Sequence, residues 1–193
     1  MDRRDFVTAK RKAAPVKTAE TQEIVRTFAG LNPYNGQWTT NEVAHLLKRT
    51  MFGSTPDDIN YFLGLGMNQS VDTLLTVPAT APAPPVKNYN NTNIPTTDPD
   101  YAIPMGQTWV TINTTDADGQ RRNSYKAWWM GLMINQERNI REKMTLFWHN
   151  HFSTETNDID RAIWAYNNNV LCRQFGLGNF KQMVRTMTLD VAM

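Results

Sequence analysis

Arg141-Glu142-Lys143-Met144-Thr145-Leu146-Phe147-Trp148-His149-Asn150-His151-Phe152 is the stretch on which the reading of this chain turns. With Ile140 just ahead of it, the apolar residues Ile140, Met144, Phe147 and Trp148 recur at intervals of three and four, the spacing of a helix with one buried face. Residues 139–151 therefore read as a helix. On a regular helix, residues two apart point ~200° apart, so His149 and His151 leave it on different sides. The pattern puts His151 beside Ile140 and Phe147, facing the core, and His149 on the opposite side together with Glu142. Glu142 is then placed to orient the His149 ring, or else to sit in a solvated charged face. Were the backbone to become extended at residue 148, both imidazoles would share one face. A His-x-His pair of that kind begins a metal site, with Glu155, Asp158, Asp160 or distant His45 as the third ligand. His149, His151 and Glu142 are the candidate catalytic residues, and His149 and His151 the candidate metal ligands. The bland alternative for His151 is a core histidine donating to a carbonyl. The letters His-Asn-His do not make the nuclease motif, whose histidines come from separated places in a ββα element.

Helical patterning extends on both sides. Residues 121–135 carry Tyr125, Trp128, Trp129, Leu132 and Met133. Residues 158–174 carry Ile159, Ile163, Tyr166 and Val170, and residues 179–189 open at Asn179 as an N-cap and carry Phe180, Met183, Val184 and Met187. Adjacent Trp128 and Trp129 diverge by ~100° on a helix, so one ring packs in the core while the other is available for stacking on a carbohydrate. Gly176-Leu177-Gly178 reads as a turn between helices rather than a phosphate cradle.

Three short helices are expected earlier. Thr39 with Glu42 forms a capping box ahead of Val43, Leu46 and Leu47, and Gly53 is placed to end that helix. Thr55 caps the next, with Pro56 at its first position, Asp57 and Asp58 at its positive end, and Gly64 and Gly66 to terminate it. A third carries Val71, Leu74 and Leu75 and stops before Pro78. Between residues 78 and 106 stand seven prolines among Asn and Thr, which remove donors and fix φ, so an extended connector follows, wrapping the surface or serving as a lid. Trp109-Val110-Thr111-Ile112 reads as a short strand and Asp116-Ala117-Asp118-Gly119 as its turn. The expected organisation is a flexible basic arm over 1–36, a helical subdomain over 37–77, a Pro/Asn/Thr-rich connector over 78–120 and a helical core over 121–193. The fold class is mainly α: an irregular multi-helix domain with a long proline-rich connector and little or no sheet.

Composition narrows the function classes. The 193 residues carry 20 Lys and Arg against 18 Asp and Glu, a net charge of +2 that does not point to nucleic acid. Basic residues gather at Arg3, Arg4, Lys10, Arg11, Lys12 and Lys17, a solvated arm. Its opening, Asp2-Arg3-Arg4-Asp5-Phe6-Val7, has the charged part of a twin-arginine export signal, but Lys10-Arg11-Lys12-Ala13-Ala14-Pro15 supplies no apolar region behind it, so no complete export signal is visible and the localisation stays open, the envelope included. No run reaches the ~18 apolar residues of a membrane span. A single cysteine, Cys172, rules out an intramolecular disulfide and a Cys-rich zinc site, and its helical position suggests a buried structural thiol.

The block Arg141–Phe152 resembles the signature of a bacterial family known only as domain-of-unknown-function family 1800 (DUF 1800). His45-Leu46-Leu47-Lys48-Arg49-Thr50-Met51-Phe52-Gly53, the helix start Thr55-Pro56 and Leu177-Gly178-Asn179-Phe180 agree with it in order and spacing, with Met51 standing where a small residue belongs. The likeness runs from about residue 38 to the end, the connector excepted. It implies a helical fold and no reaction, and names no cofactor. Members of that family are usually far longer, which implies an N-terminal fragment whose missing remainder packs on residues 180–193. The expectation is thus a helical module that binds a protein partner or forms part of an envelope-associated assembly. Its rival is an enzyme, such as a metal-dependent hydrolase, with a site around Trp148-His149-Asn150-His151-Phe152 completed by a C-terminal part.

Overall fold

In a computed structural model, residues 34–113 and 115–193 are described, and residues 37–193 form one compact unit. Most of the basic arm, including its twin-arginine start, lies outside the described residues. Among the described residues seven α-helices follow in order: α1 (Thr40–Thr50), α2 (Pro56–Leu65), α3 (Met67–Leu75), α4 (Asp118–Ile134), α5 (Arg141–Phe152), α6 (Ala162–Phe175) and α7 (Phe180–Thr188). Among the described residues there is no strand, only an isolated bridge between Val86 and Thr108. The fold is mainly α, as the periodicity requires. No helix among the described residues is long and apolar enough to cross a membrane.

The caps fall where the sequence places them. Glu42 accepts from the Thr39 N–H at 3.0 Å, and Asp58 accepts from the Thr55 N–H at 2.9 Å while the Thr55 hydroxyl accepts from the Asp58 N–H at 3.2 Å. Each box satisfies amides that the first turn leaves without an intrahelical partner. α1 stops at Met51 rather than Gly53, because Met51 turns extended and buries its side chain with Val43, Leu47, Phe62 and Leu74. α2 runs through Gly64, and Gly66 makes the turn into α3 at φ 74°, a conformation open to glycine without steric cost.

α6 is the central helix of the second group and packs against α4, α5 and α7. One core gathers Trp109, Tyr125, Ile159, Ala162, Ile163 and Ala165, and another gathers Cys172, Met183 and Met187. Burial pushes the Cys172 thiol up to about 12, with Asp190 adding to the effect, so this is the structural thiol expected. At the end of α6 a Cβ on Gly176 would stand 2.8 Å from the Cys172 carbonyl oxygen of the same helix and 3.5 and 3.6 Å from the α5 side chains Trp148 and Met144, and Trp148 Nε1 donates to the Gly176 carbonyl at 2.9 Å.

Two local expectations are corrected. Trp109–Ile112 forms a turn, closed by Ile112 N–H donating to the Trp109 carbonyl at 3.2 Å, and not a strand. Asp118 and Gly119 begin α4 rather than a hairpin turn. Asp118 has a role that local sequence does not show: its carboxylate accepts from the Ala162 N–H at 2.8 Å and from Arg161 at 2.9 Å, capping α6 from another helix.

Candidate functional site

α5 stays helical through Phe152 and ends when Ser153 enters the left-handed region at φ 49°, its N–H donating to the His149 carbonyl at 3.1 Å. The extended backbone that would align the two imidazoles is therefore not formed. His149 turns toward α4, its ring centroid 4.9 Å from that of Trp129 in an edge-on contact. His151 is exposed, lies parallel to Phe147 at 6.3 Å and meets Trp148 edge-on at 5.6 Å. Burial lowers the His149 pKa below its ordinary value of 6.5, and a hydrogen bond with Asn150 offsets part of that fall.

The buried side of α5 is rotated from the one its apolar residues indicate, although Trp148 and Phe152 still pack against the core of Cys172, Met183 and Met187. Glu142 and Thr145 face inward, while Phe147 is 53% exposed and His151 is solvent-facing. An ion pair occupies the inward side. Arg173 of α6 grips Glu142 with two of its three guanidinium nitrogens, Nε to Oε1 at 3.0 Å and Nη2 to Oε2 at 2.8 Å, and the third, Nη1, donates to Asn169 at 2.6 Å. Both partners are buried, so the pair removes the charged face that a surface reading of Arg141-Glu142-Lys143 expects. Glu142 shares a helix side with His149, as the spacing requires, but its carboxylate is held by Arg173.

The remaining candidate ligands lie apart. His45 is exposed on α1. Glu155, Asp158 and Asp160 line a hollow with Ser153, Trp164 and the last residues, a hollow that neither His149 nor His151 lines. Among the described residues no group of three or more His, Cys, Asp or Glu side chains is placed to hold a metal ion. Trp128 and Trp129 are both half-buried, each with its centroid 6.1 Å from that of Tyr125.

A buried cluster in the connector escaped the sequence reading. Asp100, fully buried, accepts from Arg121 Nε at 2.7 Å and from the Tyr89 hydroxyl at 3.0 Å, and pairs with Lys87 Nζ at 3.2 Å. Burial alone would raise the Asp98 carboxyl, but the Asp116 N–H, the Thr115 hydroxyl and the Asp100 N–H all donate to it and hold it below its ordinary 3.8. The signal available was Asp98-Pro99-Asp100, a turn starter whose first carboxylate caps a short 3-10 helix, Pro99–Ala102. Its charged partners come from elsewhere in the chain. These groups clamp the connector onto α4.

On the outer surface, the exposed rings form one patch. Phe147 meets Trp148 edge-on at 4.9 Å, Phe180 of α7 stacks on Trp148 at 5.3 Å, and His151 closes the group. Phe180 is 52% exposed, and Val184 follows one turn later on the same face of α7. A family model described as a protein of unknown function, DUF1800, matches residues 45–193. No protein with a curated description and no solved structure matches the chain.

Proposed function

Because the chain belongs to the DUF1800 family of proteins of unknown function, we propose a function from its surface: a helical module that docks an acidic amphipathic helix of a partner protein on the aromatic patch between α5 and α7. On the same reading it is one component of a larger assembly. The observation that carries this is the pair Phe147 and Phe180, each about half exposed although Trp148 holds both rings in place. Aromatic side chains already ordered on a rigid platform lose little entropy when a partner covers them, which is what a binding anchor requires. Charge supplies the partner's sign. α7 has no acidic residue, and Lys181 and Arg185 stand exposed on it. An approaching helix with apolar residues at i, i+3, i+4 and i+7 and flanking carboxylates complements this face.

The rival reading is an enzyme acting around Trp148-His149-Asn150-His151-Phe152. One observation favours it: burial keeps His149 neutral near pH 7, the state a general base needs. Glu142, however, is committed to Arg173, and His151 is turned into the patch.

A fluorescently labelled synthetic helix of that design, followed by anisotropy, tests the proposal. Phe147→Ser and Phe180→Ser should each weaken binding by about tenfold or more without lowering the melting temperature. Equal binding by both variants overturns the docking surface. Stoichiometric metal in the purified protein, lost on His149→Ala, would replace it with the enzyme reading.

A further inference from the structure

The first stretch of the connector does more than link α3 to α4. Residues 77–82 form one wall of a cavity of about 390 Å³, and Trp128, Tyr166, Val170, Arg141 and Arg173 form much of the rest. That volume lies in the range of small-molecule sites. The strap is anchored at two points: Trp128 Nε1 donates to the Ala83 carbonyl at 2.7 Å, and Arg141 donates to the Thr80 carbonyl at 3.1 Å. Pro78 and Pro82 restrict its backbone, so little conformational entropy remains to be lost when a ligand enters.

The two arginines are not equivalent. Arg173 has its charge answered by Glu142, and its guanidinium lies 5.2 Å from the centre of the Trp128 ring, where it forms part of the cavity wall. Arg141 has no carboxylate partner among the described residues, and its side chain spends a donor on a neutral backbone oxygen. A carboxylate is a stronger acceptor than that carbonyl, because the hydrogen bond becomes charge-assisted and can be bidentate. Trp128 and Tyr166 meet edge-on at 5.5 Å and line the same cavity with apolar ring surface. We infer that the cavity binds a small organic acid: one ring against the Trp128–Tyr166 wall, carrying one carboxylate for Arg141. A single uncompensated cation suits a monoanion, and a phosphate dianion would call for further donors. The acid has two natural sources, an aromatic acid or a uronic acid sugar, which share this chemistry.

Calorimetric titration of the chain with four probes separates the cases: 2-naphthoate, its neutral counterpart 2-naphthamide, a glucuronate-containing disaccharide, and neutral cellobiose. At least one acid should bind at least about tenfold more tightly than its neutral counterpart, a gap the charge-assisted bond can supply. Arg141→Gln, at a half-buried position, should erase that preference while the circular dichroism melt stays unchanged. Binding by naphthoate alone identifies an aromatic acid, and by the glucuronate alone a sugar acid. If neither acid outbinds its neutral counterpart, or Arg141→Gln keeps the full preference, the assignment is overturned. Ala81→Leu, which narrows the cavity from the strap side without touching a charge, should weaken the same acid. An unchanged affinity there would place the ligand elsewhere and also overturn it.

Discussion

His149 and Glu142 stand on one side of α5 and show how little a residue's type says about its surroundings. Glu142 is a buried anion because Arg173 meets it with two hydrogen bonds, whereas His149 is a partly buried base resting on Trp129. Burial depresses the His149 pKa, so the folded chain binds its proton less readily than the unfolded chain does. Below the ordinary value of 6.5 the unfolded state takes up more protons, and stability contributed by the neutral ring is lost as pH falls. The urea midpoint should therefore decline between pH 7.5 and pH 5, and His149→Gln should flatten that decline. An identical slope in the variant would show that the ring titrates alike in both states. His151, exposed between Phe147 and Trp148, was expected in the core because its neighbours at helical spacing are apolar. The pattern locates an apolar stripe, but it cannot say that a buried ion pair beside it will leave part of that stripe outside.

Helix starts were legible because they are local. A side-chain oxygen needs to reach only three residues ahead, so Thr39, Thr55 and Asn179 announce α1, α2 and α7 from the sequence alone. α7 depends on this more than the others, since at nine residues it is short and lies at the edge of the fold. Asn179 Oδ1 accepts from the Gln182 N–H at 3.1 Å, and Asn179→Ala should cost about 1 kcal/mol, seen as a lower thermal midpoint. A midpoint equal to that of the parent chain would mean the adjoining packing of Met183 and Met187 carries the helix unaided. Strand formation is the opposite case. Trp109-Val110-Thr111-Ile112 has the residue types of a strand, but a strand needs a neighbour along its length and the bridge from Val86 reaches only Thr108, just ahead of the segment. The segment turns instead, and Trp109 is buried with Nε1 donating to Ser124 at 3.0 Å.

The connector is where the whole molecule decides most. Composition reads it as an extended polar wrap, and its backbone is indeed largely irregular, yet Lys87 and Asp100 lie in the interior with Arg121. Replacing Asp100 by Asn leaves two buried cations without their counter-charge, a loss of about 3–5 kcal/mol by analogy with other broken buried pairs. Urea unfolding should register it, and limited proteolysis should cut first within residues 78–116. A variant as stable and as resistant as the parent would reduce the cluster to a passive filling. The helical class, the seven helical segments, three of the caps and the buried thiol all follow from short-range rules: spacing along one helix, and oxygen-to-amide reach across one turn. Which side of α5 faces inward, the Asp118 cap on α6, the Asp100 cluster and the Arg141 cavity depend on partners 11 or more residues away. Charges and hydrogen bonds of that kind form only when the helices have already met, so tertiary packing alone could assign them.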